Sequence, residues 1–326
     1  MIPRRQITVV TPAFNEAGSL PELYPRLVDA MATAGVDWEW VVVDDHSTDE
    51  TGEVLAQLTE ADSRVRVIRL SRNFGSHAAI VCGLDAAQGD AAVVMAADLQ
   101  NSPESITRLV DRWRAGAQVV WGVRPGDSAE SERRSVLSRV FERLVRRVVG
   151  VDALQPSNSD FVLLDRRVID AVRNCGESRA PIFMIVTWLG FRQESVECAK
   201  FPRAHGKSGW TWVKKIELAM DSIIAFTERP LRWISALGLL TAAAGLLYAL
   251  VVIANAVLGE PVAGWSSLMV VVLVVGGAQM LMVGVIGAYV WRGLDESRRR
   301  PRYVVEADSG RDGTDATVRR TDRRAS

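Results

Sequence analysis

At 326 residues the chain has room for one α/β domain and something beyond it. Lys plus Arg and Asp plus Glu both number 39, so net charge points to no class of partner. The three cysteines, Cys82, Cys175 and Cys198, lack metal-ligand spacing, which argues against a thiolate metal site and reads them as reduced and structural.

The N-terminal residues 1–6 lead straight into a strand-like run with no apolar signal region, so the first part of the chain is expected to remain cytosolic. Residues 7–11 read as a buried strand ending in Pro12-Ala13-Phe14-Asn15-Glu16. Helical spacing over 22–34 is followed by a second strand over 38–43, which ends in Asp44-Asp45-His46-Ser47-Thr48-Asp49. A short helix is predicted over 51–61 and a third strand over 65–70. Arg72-Asn73-Phe74-Gly75-Ser76-His77 then opens a helix that runs to about Ala87. Gly89-Asp90 turns the chain into the apolar run 91–95, which gives way to Asp98. Ser102 follows as an N-cap, with Pro103 at the first helical position.

Strands alternating with helices indicate a doubly wound, mostly parallel sheet. In such sheets ligands sit beyond the carboxyl ends of the strands, and three of these ends carry polar groups expected to converge on one edge. Asp98 at its strand end either caps a turn or meets a ligand or metal ion. Asp44 and Asp45 can accept hydrogen bonds from a base and a ribose. Neither a GxGxxG after the first strand nor a GxxxxGK[ST] occurs, so the dinucleotide fingerprint and the P-loop are both excluded. A nucleotide held without such a loop calls for a divalent cation, and oxygen ligands such as Asp98 suit Mg²⁺ or Mn²⁺. His46, His77 and His205 form no cluster and read as turn or supporting residues rather than ligands.

Residues 130–149 have the pattern of a basic amphipathic helix, which suits either a headgroup layer or an ordinary domain helix with a solvated basic side. Residues 210–227 repeat the pattern and lead into an uncharged stretch, which favours membrane contact. Between them lies a basic loop in which Arg203 and Lys207 can grip a phosphate. No charged residue occurs from Trp233 to Gly259 or from Pro261 to Trp291. Each stretch exceeds the roughly 20 apolar residues that cross a bilayer. Arg229 and Arg232 precede the first, Arg292, Arg298, Arg299, Arg300 and Arg302 follow the second, and the connecting loop carries no Lys or Arg. The positive-inside rule then places both termini in the cytoplasm. The tail after Leu294, rich in Arg, Asp, Gly, Ser and Thr, is expected to be disordered.

Thr11-Pro12-Ala13-Phe14-Asn15-Glu16, Val43-Asp44-Asp45-His46-Ser47-Thr48-Asp49 and Ala97-Asp98-Leu99-Gln100, in this order and spacing, resemble family 2 glycosyltransferases of the GT-A fold. More narrowly, the chain is similar to the polyprenyl-phosphate glycosyltransferases, the group of dolichyl-phosphate mannosyltransferase and bactoprenol glucosyltransferase. The resemblance continues through Arg72-Asn73-Phe74-Gly75, Ser159-Asp160-Phe161-Val162-Leu163-Leu164-Asp165-Arg166-Arg167 and the two uncharged stretches, and so covers about Thr8 to Trp291.

It implies a GT-A, Rossmann-like cytosolic domain over 1–228, including the amphipathic segments, and a two-helix transmembrane region over 229–294 with spans near 233–258 and 265–291. A disordered charged cytosolic tail is expected over 295–326. It further implies a nucleotide pocket lined by Pro12, Ala13, Phe14, Glu16, Val43, Asp44, Asp45, Ala97 and Asp98. Mg²⁺ or Mn²⁺ would sit at Asp98 and Gln100, Arg124, Arg203 and Lys207 would meet donor or acceptor phosphate, and Asp98 and Asp160 would have catalytic roles. The implied activity is inverting transfer of a sugar from a nucleotide-sugar donor to a polyprenyl phosphate (undecaprenyl or decaprenyl) for cell-envelope glycan or glycoprotein assembly. The implied location is the inner (plasma) membrane, multi-pass, with no nucleic-acid partner. Gly238, Gly245, Gly276, Gly277, Gly284 and Gly287 permit close helix packing in the membrane without fixing the oligomeric state, so a homo-oligomer stays open.

One departure matters. The family's metal motif is usually Asp-x-Asp, and here the first acid is Ala96, which lowers metal affinity or leaves that position to water. Two alternatives therefore stay open: a catalytically impaired membrane scaffold that keeps the fold, and a processive polysaccharide synthase. The second is disfavoured, because no Gln-x-x-Arg-Trp motif occurs and two spans are too few for a polymer channel.

Overall fold

The computed structural model of the chain describes residues 6–123, 160–175, 181–199, 201, 229–257, 264–298 and 300–310. These fall into two compact units, one built on a sheet and one on long helices. In the sheet unit, β1 (Gln6–Ala13), α1 (Leu20–Ala34), β2 (Asp37–Asp44), α2 (Thr51–Ala61), β3 (Val65–Leu70), α3 (Ser76–Ala86) and β4 (Ala91–Val94) alternate as expected. A 3₁₀ turn at Pro103–Ser105 runs into α4 (Ile106–Arg114). β5 (Val119–Val123), β6 (Val162–Asp165), α5 (Arg166–Asn174), α6 (Ile182–Trp188) and β7 (Gln193–Glu197) follow.

The strands form one sheet in the order β7-β5-β6-β4-β1-β2-β3-β8, where β8 is Val305–Asp308. β6 and β8 pair antiparallel with their neighbours, and the remaining pairings are parallel. The mostly parallel sheet implied by the alternation is thus observed. Strands covered on both faces read as continuous apolar runs rather than alternating ones, because every side chain is buried. β2 shows this directly. Trp38, Trp40 and Val42 pack with Leu23, Leu27 and Met31 of α1 and with Leu109 and Trp113 of α4. Val41 and Val43 pack instead with Ala79 and Cys82 of α3.

Punctuation is set locally. α1 ends at Gly35, whose φ of 61° lets its N–H return to the carbonyls of Met31 and Ala32. Ser102 occupies the predicted N-cap position with Pro103 next, but its hydroxyl donates to the Glu104 carboxylate rather than capping the backbone. All three cysteines are unbridged, and burial pushes the Cys82 thiol up to about 12, consistent with an unreactive structural role.

The tail departs from the sequence expectation. Instead of being disordered from 295 onward, residues 305–308 form β8, antiparallel to β3, with Arg69 opposite Ala307 and Ile68 opposite Asp308. Composition misleads here because the tail's charges are matched by partners far upstream. Asp308 takes a two-pronged bond from Arg66 at 2.9 and 2.7 Å, Glu306 meets Arg69 at 3.2 Å, and Tyr303 packs on the α3 side while donating to Asp85 at 2.8 Å. Residues 311–326 lie outside the described residues, as do the expected amphipathic helices at 130–149 and 210–227.

The second unit contains α7 (Arg229–Val257) and α8 (Trp265–Ser297), close to the two expected spans. The only stretch among the described residues that is long and apolar enough to cross a membrane is Val274–Trp291 in α8, whereas the apolar run in α7, Gly238–Tyr248, is shorter. Leu239 on α7 and Met280 on α8 are 74% and 78% exposed, and a side chain at Gly238 would come within 3.8 Å of Met282.

Gly89 precedes β4 where the chain passes close to β1. A Cβ there would lie 2.7 Å from the Thr8 nitrogen and 2.8 Å from the Gln6 carbonyl oxygen. Backbone cannot yield as a flexible side chain does, so Gly89→Ala is expected to destabilise the sheet unit by about 1–3 kcal/mol, measurable as a lowered midpoint in denaturant unfolding.

Candidate functional site

Because β1, β2, β3 and β4 run parallel, their carboxyl ends share one edge. The loops that leave this edge are strained. Among the described residues, the non-glycine positions with positive φ are Asn15 (58°), His46 (62°) and Leu99 (59°), one in the loop after each of β1, β2 and β4. Side chains rarely adopt this conformation, leucine least of the three, and such strain gathers where a loop must present groups to a ligand.

The loops after β1 and β2 are stitched together. Asn15 Oδ1 accepts from the Thr48 N–H at 2.9 Å, and the Asn15 N–H donates to Ser47 Oγ at 3.0 Å. The Glu16 N–H donates to Thr51 Oγ1 at 2.8 Å, and Asp45 N–H donates to the Ala13 carbonyl at 2.8 Å. The Glu16 carboxylate accepts from Ser19 Oγ at 2.7 Å. Phe14 stays 44% exposed, an aromatic face at the edge, while Ala13 and Val43 are buried.

Asp44 and Asp45 are both buried, and each is already engaged within the protein. Asp44 Oδ1 accepts from the Ser47 N–H at 2.8 Å and its Oδ2 pairs with Arg69 at 2.5 Å. Asp45 accepts from the N–H groups of Phe74 at 2.7 Å and Gly75 at 2.8 Å, which holds the 72–75 loop against β2. Burial raises the Asp45 pKa above the ordinary carboxylate range, and the two N–H bonds oppose that shift. The two adjacent acids therefore differ in kind: Asp44 is neutralised by a guanidinium, whereas Asp45 anchors a loop.

Asp98 lies 4% exposed beyond the end of β4, with Oδ1 accepting from the Gln100 N–H at 3.2 Å. Ala97 is buried beside it. The Gln100 carbonyl accepts from the Phe201 N–H at 2.8 Å, which ties a distant segment to this loop. Asp160 is brought to the same edge by β6, whose Val162 pairs with Val94, and its Oδ1 accepts from buried Asn101 Nδ2 at 3.2 Å. Spacing gave no hint of Asn101. Arg69, like Arg66, had a signal, a charge inside β3 among apolar residues, that sequence reading left unused. Arg124, Arg203 and Lys207 lie outside the described residues.

Among the described residues no group of three or more His, Cys, Asp or Glu side chains is placed to hold a metal. Asp98 and Gln100 provide one carboxylate and one amide. Mg²⁺ characteristically uses one or two carboxylates together with substrate phosphates, so this set fits a cation that arrives with a diphosphate rather than one caged by protein alone. His46 Nδ1 lies 3.0 Å from the Leu70 carbonyl, as expected of a turn residue. His77 Nδ1 is buried without a partner, its ring edge-on to Phe183, and burial lowers its pKa.

A family model described as Glycosyl transferase family 2 matches residues 8–169. The chain is 35% identical over 306 residues to an uncharacterized glycosyltransferase, YkcC, of Bacillus subtilis, spanning 94% of each chain. It is 32% identical over 302 residues to the bactoprenol glucosyl transferase of Shigella phage SfV, spanning 92% of this chain and 98% of that one. It is also 32% identical over 308 residues to the undecaprenyl-phosphate 4-deoxy-4-formamido-L-arabinose transferase of Klebsiella pneumoniae, spanning 93% and 94%.

The raised Asp45 pKa has a defined sign. The folded chain keeps that proton to higher pH than the unfolded chain, so the associated stability is present below the ordinary carboxylate range and is lost as pH rises through the folded value. Asp45→Asn, which cannot titrate, is expected to flatten the fall in stability just above that range, read from unfolding midpoints of both proteins across a pH series.

Proposed function

The chain belongs to glycosyl transferase family 2, and on that premise we propose that it transfers a sugar from a nucleotide-sugar donor to a polyprenyl phosphate, with inversion at the anomeric carbon. The observation that carries the reading is Asp98, buried beyond the carboxyl end of β4 on the edge where the strained loops after β1 and β2 lie, in one loop with Asn101, which donates to Asp160 ahead of β6. The named activities of the phage and Klebsiella relatives, on bactoprenol and undecaprenyl phosphate, support the acceptor class.

In this reading the nucleotide lies across the loops after β1 and β2, with the exposed ring of Phe14 toward the base and Asp45 fixing the 72–75 loop beside it. Asp98 and Gln100 would hold Mg²⁺ or Mn²⁺, which when bound neutralises charge on the diphosphate leaving group. The attacking oxygen belongs to a phosphate monoester whose second pKa is about 6, so it is largely ionised at neutral pH and needs no strong general base. Asp160, steadied by Asn101, then orients the acceptor rather than removing a proton. Arg124, Arg203 and Lys207 supply the cationic contacts to phosphate.

A lipid acceptor asks for a membrane. Val274–Trp291 and the exposed apolar side chains of α7 and α8 support two spans, and the flanking arginines support termini and catalytic unit on the cytoplasmic side of the plasma membrane. The reading with a specific observation in its favour on the other side is the impaired scaffold, through Ala96 and the single carboxylate at Asp98.

The full chain in detergent, supplied with polyprenyl phosphate, a panel of labelled nucleotide sugars and Mg²⁺ or Mn²⁺, is expected to move label into the organic phase from one donor. Asp98→Asn should lower that rate by about 100-fold or more. Nucleotide binding without transfer from any donor would establish the scaffold. Transfer that survives chelation would remove the cation from the reading while leaving the reaction class intact.

A further inference from the structure

Arg69 and β8 have no part in the chemistry above, yet they meet at its edge. Arg69 leaves β3 and divides its guanidinium three ways: one terminal nitrogen pairs with Asp44 Oδ2 at 2.5 Å, the other donates to the Ser47 carbonyl at 3.3 Å, and Nε donates to Glu306 of β8 at 3.2 Å. Glu306 also lies 3.5 Å from His46 Nδ1. The contacts continue beyond Arg69, since Asp44 accepts from the Ser47 N–H and Ser47 Oγ accepts from the Asn15 N–H. One chain of polar contacts thus runs from the C-terminal strand through Arg69 and Asp44 to the loop after β1.

We infer that Arg69, held by Glu306, is a positioning residue for the donor, and that β8 thereby sets donor affinity as well as closing the sheet. The inference rests on the reading of the 44–49 loop as part of the nucleotide pocket. Its physical basis is the contrast in burial along the contacts. The Asp44 side chain is 2% exposed and its charge must be matched, so the guanidinium cannot leave without cost. Arg69 is 32% exposed and Glu306 49%, so Glu306 adds little binding energy of its own. What it adds is direction. A long side chain fixed at Nε loses the rotamers that would turn its fork away from Asp44 and Ser47, and the strained loop carrying His46 is held in one conformation.

The test uses the full chain in detergent, with UDP, GDP and dTDP each in the presence of Mn²⁺ as binding probes and the transfer assay for kinetics. Glu306→Ala should weaken nucleotide binding about threefold, the scale of a half-exposed pair. Arg69→Lys, which keeps the charge and loses the fork, should raise the dissociation constant and the donor KM about tenfold while kcat changes less than about twofold. The double variant should be no worse than Arg69→Lys alone, because Glu306 acts through Arg69. Asp308→Asn, which loosens the same strand at its Arg66 pair, should lower the melting temperature and leave nucleotide affinity unchanged. Unchanged affinity in Glu306→Ala, or an equal loss in Asp308→Asn, would overturn the inference while leaving the transferase reading standing. A wild-type chain that binds none of the three nucleotides would overturn both.

Discussion

Two carboxylates side by side at the end of a buried strand form an arrangement that water would ordinarily dissolve. Asp44 and Asp45 are held there only because each is compensated, and the two compensations shape the site. A hydrogen bond to a charged group contributes about 1.5–3 kcal/mol, and a buried charge stripped of its partner costs more than that. Asp44 therefore binds Arg69 to the edge, and Asp45 binds the Phe74–Gly75 backbone. The loops after β2 and β3 are ordered by the need to satisfy these two charges, and the apolar sheet beneath provides the burial that makes the need severe.

Strain and charge are distributed along the same edge. Asn15, His46 and Leu99 each adopt a left-handed backbone in the loop that leaves their strand, and polar bonds between the β1 and β2 loops hold the first two in place. At Asp98 the pattern is leaner. With Ala96 in place of an acid, the described residues at this loop, Asp98 and Gln100, offer one carboxylate and one amide, a set suited to a cation whose remaining ligands come from a bound diphosphate. Metal and donor would then bind as a unit, and the protein would gain little from metal alone.

β8 shows why a charged, apolar-poor tail need not be disordered. Its acids find Arg66 and Arg69 on β3, which would otherwise be the edge strand of a mostly parallel sheet, and Tyr303 covers the flank of α3. Capping the exposed edge of β3 also removes a row of unpaired backbone groups that would otherwise invite association. The strand therefore serves the sheet and, through Glu306, the site at once.

The sequence by itself determined the alternation of strands and helices, the mostly parallel sheet, and the placing of Asp44, Asp45 and Asp98 at strand ends, because period, apolar runs and turn residues are local properties of the chain. The family's motifs in order were equally legible. Tertiary structure alone decided that Asp44 would be occupied by Arg69, that Asn101 would reach Asp160, and that the tail would return as β8. Each of these depends on residues far apart in sequence meeting across a sheet whose strand order, β6 beside β4 and β8 beside β3, no local pattern encodes. A charge declares its presence in the sequence, but its partner is chosen only by the fold that buries it.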